Sequence, residues 1–341
     1  MTQGEERGDR TLYVRGLNWI GDAVLSLGAL QGLRRVRPDL TVVVGAPAAT
    51  ADVYRMSKAV DSVISPPSWR EGRTVRYDRA VVLPLSFRSA FETFPLSSRR
   101  IGFASEGRSL FLNTALSYRE WKAGHRHQST YYETLFREID PRVEFEPPQL
   151  SFTSPEIEAA RTRLGNARDS DWLVAINPGA YFGRAKTWPL HHFESLIKSL
   201  LDQPVPVRIL LFSGQADRPL ALELKRRLPD PRLESFAGQL TLKESAAMLS
   251  ICDYLVTNDS GMMHLGGATG RKGVALFGPT DPVATGPVPP DNGPGLTVMR
   301  HPVSCQPCFL RECPIDHRCM ERLSPEEIYD RVKKDLEGSR R

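Results

Sequence analysis

The sequence predicts an α/β protein built as two doubly wound halves, and three observations carry that prediction. Short apolar runs end in polar, glycine-bearing turns and pass into residues with helical periodicity, again and again. The alternation breaks once, where Pro141, Pro147, Pro148 and Pro155 interrupt a charged, irregular stretch, and then restarts. Finally, 341 residues are too many for one ordinary core and suggest two domains. The boundaries drawn on this basis are 1–150 and 151–341.

In the first half, a strand at 11–15 runs into Gly16-Leu17-Asn18-Trp19-Ile20-Gly21-Asp22. Apolar residues then recur at helical spacing from Ala23 through Leu27, Leu30 and Leu33 to Val36, and Pro38 closes the helix. Asp22 falls in the first helical turn, where a carboxylate favours the helix dipole. The same position is the mouth of a sheet, where a carboxylate can also accept a proton. Gly16 and Gly21 are wrongly spaced for the dinucleotide fingerprint, which disfavours a nicotinamide-dependent oxidoreductase. Strands follow at 41–44, 60–64, 79–83 and 101–103, with helices at 51–56 and 128–139. Between 97 and 127, six basic residues (Arg99, Arg100, Arg108, Arg119, Lys122, Arg126) stand against Glu106 and Glu120. Such a stretch is a solvated face or a surface for an anionic acceptor or membrane.

The second half opens with a helix at 156–164 and a strand at 172–176 that ends in Asn177-Pro178-Gly179-Ala180. The loop 181–189 then delivers Arg184 and Lys186 beside a helix starting near Leu190. A strand at 208–212 ends at Ser213-Gly214, and 236–241 leads into a helix at 242–250. The stretch that organises this half follows: strand 254–257, the turn Asn258-Asp259-Ser260-Gly261, and a helix running through Met262, Met263, His264 and Leu265. Asp259 or Ser260 can cap that helix, and Gly261 lets a ligand approach the backbone. Its unpaired first-turn amides and dipole make a phosphate site. A further strand, 273–277, ends in Gly278-Pro279-Thr280-Asp281-Pro282. Two polar turns at the carboxyl ends of neighbouring strands are where open α/β sheets bind ligands. A capping box, Ser324 with Glu327, starts the last helix, 325–336.

The composition, 40% hydrophobic and 25% charged, is that of a globular protein, and a net charge of +5 is a mild basic bias toward anionic partners. No apolar run approaches the roughly 18 residues of a membrane span. The first ten residues lack the layout of a signal peptide. Both observations predict a cytoplasmic protein.

Three segments, taken in order, resemble glycosyltransferase family 9, the ADP-heptose:lipopolysaccharide heptosyltransferases, and most closely their heptosyltransferase II branch. They are Asn18-Trp19-Ile20-Gly21-Asp22-Ala23-Val24, then Asn177-Pro178-Gly179-Ala180 with Lys186-Thr187-Trp188-Pro189, and Asn258-Asp259-Ser260-Gly261 through His264 with Phe277-Gly278-Pro279-Thr280. Gly28 departs from the pattern, which commonly has proline there. The resemblance implies a GT-B fold, two Rossmann-like domains facing across a cleft, with the acceptor on the first and the nucleotide sugar on the second. It implies an inverting, metal-independent transfer of L-glycero-D-manno-heptose from ADP-heptose to the inner core of lipopolysaccharide. Inversion by direct displacement needs a base, and Asp22 suits that role. The charge growing on ADP would meet Lys186, the Thr187 and Thr280 hydroxyls and the amides near Ser260 and Gly261. Asn177 and Gly179 belong to the donor side, as do Asp259 and His264, which would hold heptose hydroxyls. Gly238, Leu240 and Thr241 are the candidates for the adenosine edge. Arg99, Arg100, Arg119, Lys122 and Arg126 would meet the phosphate and Kdo carboxylates of a lipid A–Kdo acceptor. Its lipid anchor implies peripheral contact with the cytoplasmic face of the inner membrane, and no nucleic acid partner is implied.

Cys305-x2-Cys308-x4-Cys313-x5-Cys319, with His317 inside, could hold a structural zinc or iron–sulfur centre. The first pair has good ligand spacing, whereas the later gaps fit no common finger or ferredoxin pattern. No catalytic cofactor is assigned, and Cys252 reads as core. The competing functional readings are a related transferase with another donor or acceptor, a nucleotide-sugar epimerase of the same fold, and a non-catalytic two-domain nucleotide-sugar-binding protein. The residues do not separate an acceptor already carrying a first heptose from one without it.

Overall fold

The computed structural model describes residues 9–66, 74–165, 171–290 and 295–338. The expectation drawn from the amino-terminal ten residues falls mostly on 1–8, outside the described residues. The chain divides into two compact units, Met1–Ser151 and Phe152–Arg341. Among the described residues, no helix is long and apolar enough to cross a membrane.

The first unit runs β1 (Thr11–Arg15), α1 (Ile20–Val36), β2 (Thr41–Gly45), α2 (Ala48–Arg55), β3 (Ser62–Ile64), β4 (Arg79–Val82), α3 (Phe87–Thr93), β5 (Arg100–Ala104), β6 (Thr114–Ser117), α4 (Tyr118–Ala123) and α5 (Ser129–Arg137). Its described strands form one parallel sheet in the order β3-β2-β1-β4-β5-β6. Leu12, Tyr13 and Val14 are buried on both faces of the central strand, as a sheet covered by helices on both sides requires. Helix α1 is buried along most of its length, from Ala23 to Leu33. The segment 144–146 explains this: a Cβ on Gly28 would strike the Glu146 carbonyl and the Phe145 ring, and one on Gly32 the Glu144 carbonyl. The Glu146 N–H in turn donates to the Gly28 carbonyl at 3.1 Å. The missing side chain at Gly28, where the family pattern has proline, therefore admits a returning backbone.

The second unit runs α6 (Ser154–Arg163), β7 (Trp172–Asn177), α7 (Leu190–Leu201), β8 (Val207–Leu211), α8 (Arg218–Arg227), β9 (Leu233–Ser235), α9 (Leu242–Leu249), β10 (Tyr254–Asn258), α10 (Gly261–Ala268), β11 (Lys272–Phe277), α11 (Pro282–Thr285), β12 (Leu296–Arg300), α12 (Arg318–Glu321) and α13 (Pro325–Glu337). Its sheet is also parallel, in the order β12-β11-β10-β7-β8-β9. Each unit thus places its first strand fourth from one edge, with later strands added on both sides. The core of this unit joins α7 and α13 to the sheet through Phe193, Leu196, Ile197, Ile328 and Val332. Trp188 is fully buried at its base, and its indole N–H donates to the Leu323 carbonyl at 2.9 Å. A side chain of that size contributes several kcal/mol by burial, so Trp188 anchors the loop before α7 firmly. The capping box expected at Ser324 is present, and Thr153–Glu156 and Thr241–Glu244 form two more.

Candidate functional site

In the second unit β7 sits between β8 on one side and β10 on the other, so the chain leaves the ends of β7 and β10 in opposite directions. That divergence opens a crevice at the carboxyl edge of the sheet. Two asparagines build it. Asn177, the last residue of β7, donates from its side-chain amide to the Thr257 and Ser260 hydroxyls, each at 3.1 Å, and to the Gly179 carbonyl at 3.2 Å. Asn258, the last residue of β10, donates to the Pro178 carbonyl at 3.0 Å and accepts the Trp188 N–H at 3.0 Å. Both side chains are buried, and each ties the two diverging loops together.

Lys186 arrives on a 3-10 turn, Arg184–Lys186, just before the Trp188 anchor. Its Nζ lies 2.6 Å from Asp259 Oδ2, and the Thr280 hydroxyl donates to the same oxygen at 2.5 Å. The pair is well buried, with side-chain exposures of 13% and 6%, so solvent screens it weakly. The Lys186 ammonium also stands 4.9 Å from the centre of the Phe182 ring. Helix α10 begins two residues beyond Asp259. Ser260 occupies its N-cap position but makes no side-chain cap bond, contrary to the expectation that Asp259 or Ser260 caps it. The reason is competition: Asp259 is held by Lys186 and Thr280, and Ser260 is engaged by Asn177. The first amides of α10 are left for a ligand or water. His264 lies one turn on, nearly buried.

A second group gathers around glycines. Side chains on Gly179 and on Gly238 would collide with the Asp217 carboxylate and with Gln215, respectively. Gly238 has φ of +66°, a conformation that favours glycine. Gln215, Asp217 and Arg218 follow β8 and were not singled out in the sequence; burial pushes the Asp217 carboxyl upward. Their signal was the Asp217-Arg218-Pro219 helix start directly after Ser213-Gly214. Thr241, expected beside them, uses its hydroxyl to cap α9 and accepts from the Glu244 N–H at 3.2 Å. Leu240 is half-buried and Thr187 is half-buried next to Trp188.

In the first unit Asp22 is half-buried in the first turn of α1, beside the switch between β1 and β4. Three buried phenols feel it. Burial raises the pKa of Tyr54, to about 12, and of Tyr131 and Tyr132; the Asp22 charge adds to each rise. Tyr54 also receives the Leu17 N–H at 3.1 Å, which fixes the loop that precedes α1.

The basic stretch divides. Arg119, Lys122 and Arg126 are exposed on and after α4, and Arg99 is exposed while pairing with Asp9 at 3.1 Å. Arg100 does not belong with them. Its side chain is buried, with Nε donating to the Phe111 carbonyl at 2.6 Å and Nη1 to the Ser97 carbonyl, because β5 turns it inward. Arg108 is likewise fully buried, donating to Val82 and Pro84 carbonyls.

Residues 68–318 match the family model described as glycosyltransferase family 9 (heptosyltransferase). Lipooligosaccharide heptosyltransferase 2 of Haemophilus influenzae is 30% identical over 81% of this chain and 86% of its own length. Lipopolysaccharide heptosyltransferase 2 of Escherichia coli K12 is 28% identical over 81% and 85%. The structure of E. coli ADP-heptose lps heptosyltransferase II superposes with a TM-score of 0.83 at 25% identity, covering 97% of this chain and all of the other.

Proposed function

Because the chain belongs to glycosyltransferase family 9, with a GT-B fold and heptosyltransferase II as its shared likeness, we propose that it moves L-glycero-D-manno-heptose from ADP-heptose to the inner core of lipopolysaccharide, with inversion, on a heptosyl-Kdo2-lipid A acceptor. The observation that carries this reading is the Lys186–Asp259–Thr280 group at the start of α10, in the crevice between β7 and β10.

In the proposed reaction an acceptor hydroxyl attacks the anomeric carbon of heptose, its proton passing to the Asp22 carboxylate as the bond to the ADP oxygen breaks. The electron pair of that bond leaves with ADP. Lys186, the Thr280 hydroxyl and the open amides of α10 meet the charge it gains, and they are held in place before the donor arrives. Asp259 keeps Lys186 and Thr280 aimed while the donor site is empty and offers its other oxygen to a heptose hydroxyl. Gly179 and Gly238 leave room for the nucleotide, with Gln215, Asp217 and Arg218 at its edge. On the acceptor side, Arg99, Arg119, Lys122 and Arg126 supply positive charge for phosphate and carboxylate groups. Phe87, Phe91, Phe94 and Leu110 are exposed around Phe111, with Arg88 exposed beside them. An exposed apolar cluster with an arginine beside it, itself paired with Glu92, suits peripheral contact with a bilayer surface.

The test is ADP release from ADP-heptose with and without heptosyl-Kdo2-lipid A, for the wild type and Asp22→Ala. Release should depend on the acceptor and fall by at least roughly 100-fold in the variant, with ADP-heptose affinity kept. Acceptor-independent release of free sugar would point instead to an epimerase, and binding without any turnover to a non-catalytic protein.

A further inference from the structure

The cluster of Cys305, Cys308, Cys313 and Cys319 has no part in the reaction proposed above, yet it grips the turns that carry that reaction. Residues 301–317 contain neither helix nor strand. Segments of this length without secondary structure are uncommon in compact domains and need something to hold them. Apolar burial does little of this: Val303 packs on the core, but Phe309, Leu310 and Ile315 are exposed. What the segment does share is sulfur: all four thiols, together with His317, line one cavity with Ala185 and Pro279. Cys305 and Cys308 come from the loop, Cys313 from its far limb, and Cys319 from the buried face of α12.

One backbone amide is aimed at a sulfur, and burial beside the other three cysteines pushes the Cys319 thiol up to about 11, so an ionised sulfur there needs a cation. The His317 N–H donates to Cys313 Sγ at 3.3 Å, a bond that strengthens when the sulfur is ionised and fixes its orientation. The His317 ring instead points its Nε2 at the Ala185 carbonyl, 2.8 Å away, so the donor set is the four sulfurs. Among the described residues, the three ligand atoms that come within 4.8 Å of one another belong to His191, His192 and Glu321, not to the cysteines. Four sulfurs around a single zinc stand about 3.8 Å apart at the usual bond length of ~2.3 Å. The thiols therefore ring a space that either contracts onto one ion or encloses a larger iron–sulfur unit.

The loop's backbone then reaches the donor crevice at two places. The Cys308 and Phe309 N–H groups both donate to the Pro279 carbonyl, at 3.0 and 2.9 Å, and Gln306 Nε2 donates to Gly278 at 2.7 Å. The Ala185 N–H donates to the Arg311 carbonyl at 2.9 Å, and the Arg311 guanidinium stands 5.1 Å from the Phe182 ring that also faces Lys186. These contacts brace the turn of Thr280 and the turn of Lys186, the two partners of Asp259. We propose that Cys305, Cys308, Cys313 and Cys319 hold a thiophilic metal centre, zinc or an iron–sulfur cluster, whose role is to rivet the loop and so set the Lys186 and Thr280 turns.

The full-length wild type, Cys305→Ser/Cys308→Ser and Cys252→Ser are purified without oxygen and assayed for zinc, iron and acid-labile sulfide, and for ADP affinity by calorimetry. The exposed pair is chosen for the double variant because its hydroxyls disturb no core. The wild type and Cys252→Ser should carry about one zinc per chain, or iron with matching sulfide and visible charge-transfer absorption. The double variant should lose the metal and bind ADP roughly tenfold more weakly while keeping its far-ultraviolet circular dichroism. Substoichiometric metal with freely reactive or disulfide-paired thiols in the wild type overturns the centre, as does metal retained by the double variant. Metal loss with unchanged ADP affinity overturns its bracing role. That last arm rests on the donor assignment, and a metal-loaded wild type that fails to bind ADP would sink the assignment and leave the centre standing.

Discussion

Trp188 donates its backbone N–H to the side-chain oxygen of Asn258 across 3.0 Å, while the amide of the same asparagine donates to the Pro178 carbonyl. One buried side chain thus locks the end of β10 to the loops on either side of Lys186. The relationship explains why a lysine carried on a single 3-10 turn can be held within hydrogen-bond distance of Asp259 without help from an α-helix or a strand.

Asn258→Ala should therefore cost both stability and donor affinity. It leaves the Trp188 N–H and the Pro178 carbonyl buried without their partner, and each such loss is worth about 1–3 kcal/mol. Urea denaturation should show a drop of roughly 2–6 kcal/mol, and ADP should bind more weakly. Unchanged ADP affinity in a folded variant would mean that Asn258 does not position the Lys186 loop.

Lys186→Ala removes the cation proposed to meet the leaving diphosphate. The rate of heptose transfer should fall roughly 100- to 1,000-fold. Lys186→Arg should recover part of it, since charge survives and geometry does not. Steady-state kinetics of both variants would decide: equal activity in Lys186→Ala and the wild type removes Lys186 from the mechanism.

Gly28→Ala should be a stability variant with little effect on chemistry. Its methyl group meets the Glu146 carbonyl and the Phe145 ring. Overpacking of this kind costs about 1–3 kcal/mol. A thermal melt of the variant at or above the wild-type temperature would show that the 144–146 segment gives way freely.

Alkali should unfold the protein through its phenols. Burial is the first cause of the raised pKa of Tyr13, Tyr54, Tyr131, Tyr132 and Tyr254. A group whose folded pKa lies above its unfolded value near 10 stabilises the fold fully below that pH. The contribution is lost as pH rises, for Tyr54 between about 10 and its folded value of about 12. Ultraviolet titration should show these five buried tyrosines ionising only as circular dichroism is lost. Simultaneous ionisation of all nine tyrosines in the folded protein would contradict this burial.

Much of this arrangement was legible in the chain. The apolar runs behind β1, β7, β10 and β11 are almost wholly buried and read as strands without ambiguity, and Asp22, Asn177 and Asp259 stand at or just past their carboxyl ends. Helices α3, α4, α8, α11 and α12 and strands β6, β9 and β12 are not read from the sequence. Their burial is partial, so tertiary packing decides them. Arg100 shows a second limit: charge in a sequence has no direction, and only the pleat of β5 reveals that this guanidinium points inward. Asp217 shows a third, since its nearness to Gly179 arises from the order of strands and not from spacing.

That order also bears on how the protein is made. In each unit the first strand to leave the ribosome is interior, β2 and β3 or β8 and β9 extend one edge, and the next three extend the other. Every strand therefore emerges next to one already in place, and none has to wedge between two that have paired. Each half can grow outward during synthesis, without waiting for its last residue to begin.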